Sequence, residues 1–332
     1  MATYKEIFGT NIEVLASDPA NPIAGQVWYN STDNVVKGLT ESTAGAWSTG
    51  GNLNTARYFS GGAGSQTSDL VFGGAIAGSE NETVTESYNG SAWTEVNDLN
   101  TGRAGIAASG TDNTSVLAIG GFNPGAYRAN TESWNGTSFS EVNDLNQARA
   151  GLAGTGVDNT SALAYGGSLD GAPPTAVTES WNGTCWTEVN DLNTARRFPG
   201  NAGTATSALA FGGNVAPPLT GATEEWNGTC WSEVNDMNSA RSRSMSFGFT
   251  QTAAIVAGGQ TPTPTLGRLT EEWNGTSWTE VADMATARYN TQTGGGTASA
   301  GIVSGGVPPS GPNATEEWNG AGVQTTVTFT DS

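Results

Sequence analysis

The chain has 332 residues with 31 acidic and 12 basic side chains, so its formal net charge is −19. This balance argues against nucleic acid or an anionic membrane surface as a partner, because phosphate contacts need clustered Lys or Arg. No segment approaches the roughly 20 apolar residues that span a bilayer, and the abundance of glycine is typical of short strands joined by many turns.

The N-terminal segment is predicted to contain a short β-hairpin. Val27–Tyr29 and Val35–Lys37 have strand-like composition, and Ser31–Asn34 lies between them as a turn. The first 17 residues contain no apolar run of the kind found in a signal peptide, so we expect synthesis and folding in a cytoplasm.

Residues 18–37, followed by Gly45–Trp47, resemble a short module common near the ends of structural proteins of tailed phages, particularly marine phages. The resemblance implies a virion component, although the long fibrous stalk of the best-known phage adhesins is missing from the sequence. We therefore predict an attachment segment at residues 1–45, in which Val27, Trp28 and Tyr29 contact the particle.

The rest of the chain, residues 46–332, repeats one unit six times. A closing arginine and a Gly-Gly pair each recur at intervals of 45 to 47 residues. Such a period indicates a repeat architecture, in which each unit buries its apolar face against a neighbour. The arginines are Arg57, Arg103, Arg149, Arg196, Arg241 and Arg288.

The second unit illustrates the four strands predicted for each repeat. Ala104–Gly110 has small side chains that suit a crowded central axis, and Val116–Ile119 is an apolar run typical of a strand covered on both faces. Thr131–Trp134 and Phe139–Val142 follow as an outer pair. The Asn135-Gly136 step between them predicts a two-residue type I′ hairpin, since both central positions of that turn need positive φ.

Four short strands per unit, small inside and aromatic outside, predict an all-β, six-bladed β-propeller with four antiparallel strands per blade and a short N-terminal hairpin extension. The double glycine, the glutamate, the two spaced tryptophans and the arginine also resemble the kelch repeat over residues 46–330. This resemblance implies the fold alone, because kelch rings serve as enzymes, scaffolds and adhesins. A solenoid is the rival architecture, but it would need polar caps at its ends.

Two segments are candidates to close the ring. Ala46–Ser48 precedes Arg57 with the spacing that separates Trp93 from Arg103, whereas Val323–Thr330 alternates apolar and polar residues like an outer strand. The spacing favours Ala46–Ser48.

The residues that could carry chemistry are mostly equivalent by repetition. Without histidine, the copper chemistry of some kelch oxidases is excluded, and carboxylates in equivalent surroundings do not form a catalytic acid–base pair. We predict a non-enzymatic protein with no cofactor and no metal.

The six arginines can bind anions or pair with repeated glutamates, and the sequence favours pairing. The tryptophans can stack on sugars or pack between blades, and recurrence favours packing. Cys185 and Cys230 are predicted to be free thiols.

Variation is concentrated in the loops between each Gly-Gly pair and the next Thr-Glu pair, which are expected on one face of the ring. They can be a recognition surface or exposed segments that have drifted. As binding residues we predict Tyr127, Arg128 and Arg268. The loops are Phe122–Asn130, Ser168–Val177, Asn214–Ala222, Gln260–Leu269 and Val307–Ala314.

The functional prediction is a non-enzymatic virion structural protein of the tail, baseplate, fibre or capsid surface, made in the host cytoplasm and present in multiple copies. Its expected partners are other virion proteins and a host-surface glycan or protein, without nucleic acid or membrane insertion. The alternative is an intracellular kelch-type scaffold for protein interactions.

Overall fold

The computed structural model describes residues 12–19, 26–41, 45–76, 81–169, 172–215, 218–261, 267–289, 294–307, 313–321 and 324–329. Among these residues, no helix is long and apolar enough to cross a membrane. The strands are β1 (Glu13–Leu15), β2 (Val27–Asn30), β3 (Val35–Glu41), β4 (Ala46–Thr49), β5 (Gly61–Ser65), β6 (Ser68–Phe72), β7 (Thr85–Tyr88), β8 (Trp93–Val96), β9 (Ala107–Ser109), β10 (Val116–Asn123), β11 (Ala126–Trp134), β12 (Phe139–Val142), β13 (Ala153–Asp158), β14 (Ser161–Tyr165), β15 (Thr178–Trp181), β16 (Trp186–Val189), β17 (Gly200–Thr204), β18 (Ser207–Phe211), β19 (Thr223–Trp226), β20 (Trp231–Val234), β21 (Met245–Thr250), β22 (Ala253–Ala257), β23 (Thr270–Trp273), β24 (Trp278–Val281), β25 (Gly294–Thr297), β26 (Ala300–Ser304), β27 (Thr315–Asn319) and β28 (Gln324–Phe329).

Six four-stranded sheets form the blades of a propeller. Blades 1 to 5 are β5–β8, β9–β12, β13–β16, β17–β20 and β21–β24, each in sequential order, and blade 6 has the order β25-β26-β27-β4. The first strands of successive blades contact one another in a closed cycle that returns from β25 to β5. The predicted six-bladed propeller is therefore confirmed.

The sequence of each strand matches its position in the blade. In the second strands, such as β14, four consecutive residues are buried because both faces of the strand are covered. The fourth strands are largely exposed instead, with Trp186 buried and Thr187 and Glu188 exposed in β16. The first strands approach one another closely, so that a Cβ on Gly294 would lie 2.2 Å from the Ser246 carbonyl oxygen.

Tryptophans join neighbouring blades, as the sequence predicted. Trp186 at the start of β16 is buried, and its indole N–H donates to the Thr131 hydroxyl of the preceding blade at 3.1 Å. Blade 2 has Phe139 at this position, and its ring instead meets Phe72 of blade 1 edge-on at 5.5 Å. The corresponding bonds, all of 3.1 Å, are Trp47–Thr270, Trp93–Thr315, Trp231–Thr178 and Trp278–Thr223.

The ring is closed by β4, the strand that the sequence favoured. β4 supplies the fourth strand of blade 6 beside β27. Its Trp47 lies 5.3 Å from the ring of Trp318 and donates to Thr270 of blade 5, and the Gly50 N–H donates to the Thr315 carbonyl. The N-terminal and C-terminal parts of the repeat region are therefore joined within one sheet.

A second compact unit comprises Met1–Ala46 and Asn319–Ser332. It holds one sheet of order β1-β2-β3-β28, in which β2 and β3 form the predicted hairpin. The C-terminal strand β28 pairs antiparallel with β3. β28, which the sequence analysis placed with the ring, is therefore a strand of this sheet.

The Asn-Gly turns differ from the prediction. In blade 1, Tyr88 pairs with Trp93, so the loop has four residues instead of two. Gly90 has a φ of 89°, but Asn89 is not in the positive region, and its side-chain oxygen accepts the N–H groups of Ser91 and Ala92, each at 3.0 Å. The type I′ prediction was wrong because the asparagine side chain caps the turn without adopting positive φ.

Two truncations test ring closure. Removal of residues 1–44 leaves β4 in place, whereas removal of residues 1–50 also deletes Trp47 and its contacts. Loss of a packed tryptophan typically costs about 3 kcal/mol or more. We expect the shorter chain to melt roughly 10 °C below the longer one by circular dichroism. Equal melting temperatures would show that β4 is dispensable.

One buried carboxylate breaks the symmetry of the blade 1–blade 6 interface. Asp69 of β6 is 1% exposed, and its Oδ1 has no hydrogen-bond partner among the described residues. It faces Gly295 of blade 6, where a Cβ would lie 2.8 Å from Oδ1. Tyr88 is its cross-strand neighbour and donates to Glu317 at 2.6 Å. Desolvation raises the pKa of Asp69 from 3.8 to about 8.

Asp69 should therefore make stability depend on pH. Because its folded-state pKa is raised, the native state binds the carboxyl proton more tightly than the unfolded chain does. The stability that this protonated carboxyl contributes is therefore fully present below about pH 4 and is lost as pH rises to about 8. In Asp69→Asn the neutral form is permanent. We expect its melting temperature to match the parent near pH 4 and to exceed it increasingly up to pH 8. A constant difference across this range, measured by calorimetry, would contradict the assignment.

Candidate functional site

One face of the ring carries the variable loops and the connections between blades. In each blade the second and third strands are joined on the side where the fourth strand leaves for the next blade, so both kinds of segment lie together. We call this the loop face. Of the five variable loops, Phe122–Asn130 is described in full, and the other four lie partly outside the described residues.

Six buried Arg–Glu pairs fix the connections to the blades. The Arg149 guanidinium lies 3.0 Å from Glu179 and also donates to the Gly166 carbonyl, while the other Glu179 oxygen accepts the N–H of Asn146. Burial lowers the pKa of Arg149, and the Glu179 charge opposes this effect. The arginines are therefore structural, as the sequence favoured. The other pairs are Arg57–Glu86, Arg103–Glu132, Arg196–Glu224, Arg241–Glu271 and Arg288–Glu316.

The remaining arginines are all on the loop face. Of the 12 basic residues, six form these pairs, Lys37 pairs with Asp18 and Asp33, and Lys5 lies outside the described residues. The other four are Arg128, Arg197, Arg243 and Arg268. None of the four has a described carboxylate within 4.0 Å. In this strongly acidic protein, the described cations that have no carboxylate partner thus lie on one face.

The mouth of the central channel on this face contains three strained residues. Two positions after the paired arginine, Phe59, Phe198 and Arg243 have φ values of 54° to 55°, where blades 2 and 3 have Gly105 and Gly151 at 63°. Backbone hydrogen bonds link these positions from blade to blade, such as Phe198 N–H to the Gly151 carbonyl at 2.6 Å. The left-handed conformation costs a non-glycine residue about 1 to 2 kcal/mol.

The side chains of these three residues form what we call the mouth cluster. Phe59 and Phe198 come from opposite blades, and their rings stack across the axis with centroids 5.7 Å apart. The Arg243 guanidinium lies over both rings, 4.9 Å from the Phe198 centroid and 5.6 Å from that of Phe59. Gly151 leaves room for this arrangement, since a Cβ there would lie 2.7 Å from the Phe198 ring.

A second arginine lies near the mouth cluster. Arg197 is half-buried, and its Nε is buried without a hydrogen-bond partner among the described residues. Desolvation is the larger cause that lowers the pKa of Arg243, and the positive charge of Arg197 lowers it further. Tyr289 raises this pKa. The two positive charges therefore repel each other, and neither arginine has a described carboxylate within 4.0 Å.

One predicted binding residue adjoins this cluster. Tyr127 lies beside Phe122, with ring centroids 6.3 Å apart, and Phe122 meets Phe59 edge-on at 6.4 Å. Arg128 donates instead to Asn123 of its own hairpin at 2.9 Å, and Arg268 is exposed in the loop of blade 5. The structure thus relates Tyr127 to the mouth and leaves the two arginines at separate places on the loop face.

The predicted attachment residues lie in the N-terminal sheet. Trp28 is fully buried, and its indole donates to Asp18 at 3.0 Å. Asn30 and Lys37 bind the same carboxylate, and these hydrogen bonds, that of Asn30 first, lower the pKa of Asp18 to about 2. Val27 and Tyr29 are half-buried, so any contact with a particle would use them before Trp28.

The central channel is narrow below the mouth. A cavity of about 40 Å³ on the axis is lined by the first strands, and it has room for only a few water molecules. No group of three or more acidic, cysteine or histidine side chains among the described residues is arranged to hold a metal ion. Cys185 and Cys230 are exposed and unpaired. The arrangement therefore favours binding at the loop face over binding inside the ring.

Sequence analysis missed Phe59, Phe198 and Arg243. The available signal was the position two residues after each repeat arginine, which is Gly105 and Gly151 in two blades and a large side chain in these three. Glycine at this position in some blades indicates a left-handed backbone, so a phenylalanine at the same position in another blade predicts backbone strain.

The strain can be measured by paired substitutions. Phe198→Ala and Phe198→Gly both remove the ring, but only glycine also relieves the left-handed conformation at φ 54°. We expect Phe198→Gly to be more stable than Phe198→Ala by about 1 kcal/mol in urea unfolding. The same pair of substitutions at Phe211, a buried strand residue without positive φ, is the control and should show the opposite order. An alanine variant of Phe198 as stable as the glycine variant would exclude backbone strain.

No family model matches the sequence, and no curated protein matches it. Among solved structures, the chain is similar to that of YjhT, a kelch-type propeller, with a TM-score of 0.65 and 12% identity over 80% of this chain and 95% of that one. At this identity the similarity supports the propeller fold alone.

Proposed function

We propose that the protein is a non-enzymatic structural component of a tailed-phage virion and that its loop face recognises another virion protein or a host-surface molecule. The observation that carries this proposal is the asymmetry of the ring. Its interior repeats the same Arg–Glu and Trp–Thr contacts, whereas the loop face contains the variable loops, the four arginines without a described carboxylate partner and the mouth cluster. Binding residues are commonly carried on loops held by a rigid scaffold.

The N-terminal unit supports an attachment role. It has its own sheet and its own polar network around Asp18, so it is organised separately from the ring. Residues 18–37, on which the resemblance to phage structural proteins depends, contribute β2 and part of β3 to this sheet. We assign attachment to this module and recognition to the loop face.

The carboxylates support a role without catalysis. In each third strand the glutamate that follows the first threonine is buried in an ion pair, and the glutamates of the fourth strands repeat in equivalent exposed positions. Asp69 has a raised pKa, but it is 1% exposed and enclosed between blades 1 and 6. A paired acid and base in a cleft is the arrangement that hydrolysis needs.

Mass spectrometry of purified particles tests the proposal. Virions from infected cells would be banded on a density gradient, and the stoichiometry of this chain compared with that of the major capsid protein across the fractions. We expect the chain to band with the particles in multiple copies and to be retained after a high-salt wash. A chain that is abundant in infected cells and absent from the virion band would instead support the intracellular scaffold.

A further inference from the structure

We propose that the mouth cluster, together with Arg197, binds a single carboxylate side chain presented by a partner protein. The inference rests on the proposed recognition role of the loop face and names the chemistry of its partner. Four observations carry it: unpaired charge, a preorganised guanidinium, backbone strain and the shape of the mouth.

The first observation is the unpaired charge. Arg197 and Arg243 are both half-buried, and the Nε of Arg197 is buried without a described acceptor. The Nε atoms of Arg149 and Arg288 are also buried without an acceptor, but each of these guanidinium groups has a glutamate and backbone carbonyls as partners, whereas Arg197 and Arg243 have no described carboxylate within 4.0 Å. A partly desolvated charge without a counterion is unfavourable, and an incoming carboxylate would supply the missing partner.

The second observation is the orientation of Arg243. Its guanidinium lies over the rings of Phe198 and Phe59, which occupy one face of the planar group. Among the described residues, no side chain or carbonyl accepts a hydrogen bond from it, so its N–H edge is available. A guanidinium stacked in this way can donate two parallel hydrogen bonds to a carboxylate without losing its contact with the rings.

The third observation is that this arrangement is maintained against backbone strain. Glycine at residues 105 and 151 shows that the backbone of the mouth needs no side chain at this position. The chain nevertheless has two phenylalanines and an arginine there, all with positive φ. Strained residues of this kind are concentrated in binding sites, where the surroundings hold them in a functional geometry.

The fourth observation favours a protein side chain over a larger anion. Phe59 and Phe198 stack across the axis, and the cavity that the first strands line on this axis has a volume of only about 40 Å³. There is no room along the axis for a larger ligand, so the proposed ligand is a carboxylate carried by a partner that lies across the surrounding loops. The net charge of −19 also disfavours a polyanion, which would be repelled beyond the mouth.

Arginine side-chain NMR tests this assignment on the full-length protein. Nε resonances of Arg197, Arg243 and Arg268 would be followed during titration with acetyl-Gly-Glu-Gly-amide, with its Gln counterpart, and with glucuronate as a saccharide carboxylate. We expect saturable shifts at Arg197 and Arg243 with the Glu peptide, no shift at Arg268, and binding of the Gln peptide at least tenfold weaker.

Matched variants complete the experiment. Arg243→Gln should weaken binding of the Glu peptide at least tenfold. Arg243→Lys keeps the charge but loses the planar guanidinium, and it should weaken this binding severalfold. Arg268 is an exposed arginine of the same face, and Arg268→Gln should change the affinity less than twofold. Unchanged melting temperatures would show that the variants fold, and should Arg243→Gln unfold, Arg197→Gln is the substitute.

Three results would overturn the proposal: no saturable shift with any carboxylate, equal binding of the Glu and Gln peptides, or equal losses in Arg243→Gln and Arg268→Gln. Glucuronate binding tenfold tighter than the Glu peptide would replace the protein partner with an acidic saccharide. These outcomes do not depend on the virion. A chain absent from particles that still binds the Glu peptide would refute the proposed function and leave this site in place.

Discussion

The buried Arg–Glu pair is the interaction on which the rest of the ring depends. In each blade the arginine donates to its glutamate and to a carbonyl group at the end of the second strand, and in every blade but the second it also donates to a carbonyl at the end of the following loop. The glutamate also accepts backbone N–H groups from the connection that enters the blade. A buried ion pair adds little net stability, because desolvation offsets the attraction, but loss of one partner leaves an uncompensated charge. The pair therefore fixes where each connection meets its blade, and the register of the whole ring follows.

Because these pairs anchor the connections, the neighbouring loops are free to differ. Ala285 shows how far the network tolerates change. It replaces the asparagine of the other blades, so two side-chain hydrogen bonds are lost, yet its N–H still donates to Glu316 at 2.7 Å. The backbone contact is sufficient to place the connection. Side chains beyond it, such as those of the mouth cluster, can then vary without loss of the fold.

The interface between blades 6 and 1 departs most from the repeat. It contains Asp69 where other blades have alanine, valine or glycine, Tyr88 where they have tryptophan, and the junction made by β4. A ring closed by a strand from the other end of the chain must join two segments that are distant in sequence. Polar groups confined to this interface specify which blades meet there, although a buried carboxylate lowers stability at neutral pH.

The sequence by itself determined the number of blades, the four strands of each blade and the partners of the repeated arginines and tryptophans. These features depend on local patterns that recur six times, and repetition separates structural residues from functional ones. It also favoured β4 as the closing strand, from the spacing of Trp47 and Arg57. The tertiary structure alone decided the four-residue Asn-Gly turn, because its geometry depends on an asparagine side chain bonding to its own loop. It also alone brought Phe59 and Phe198 together, since residues from opposite blades, 139 positions apart in the chain, become neighbours only when six blades close around one axis.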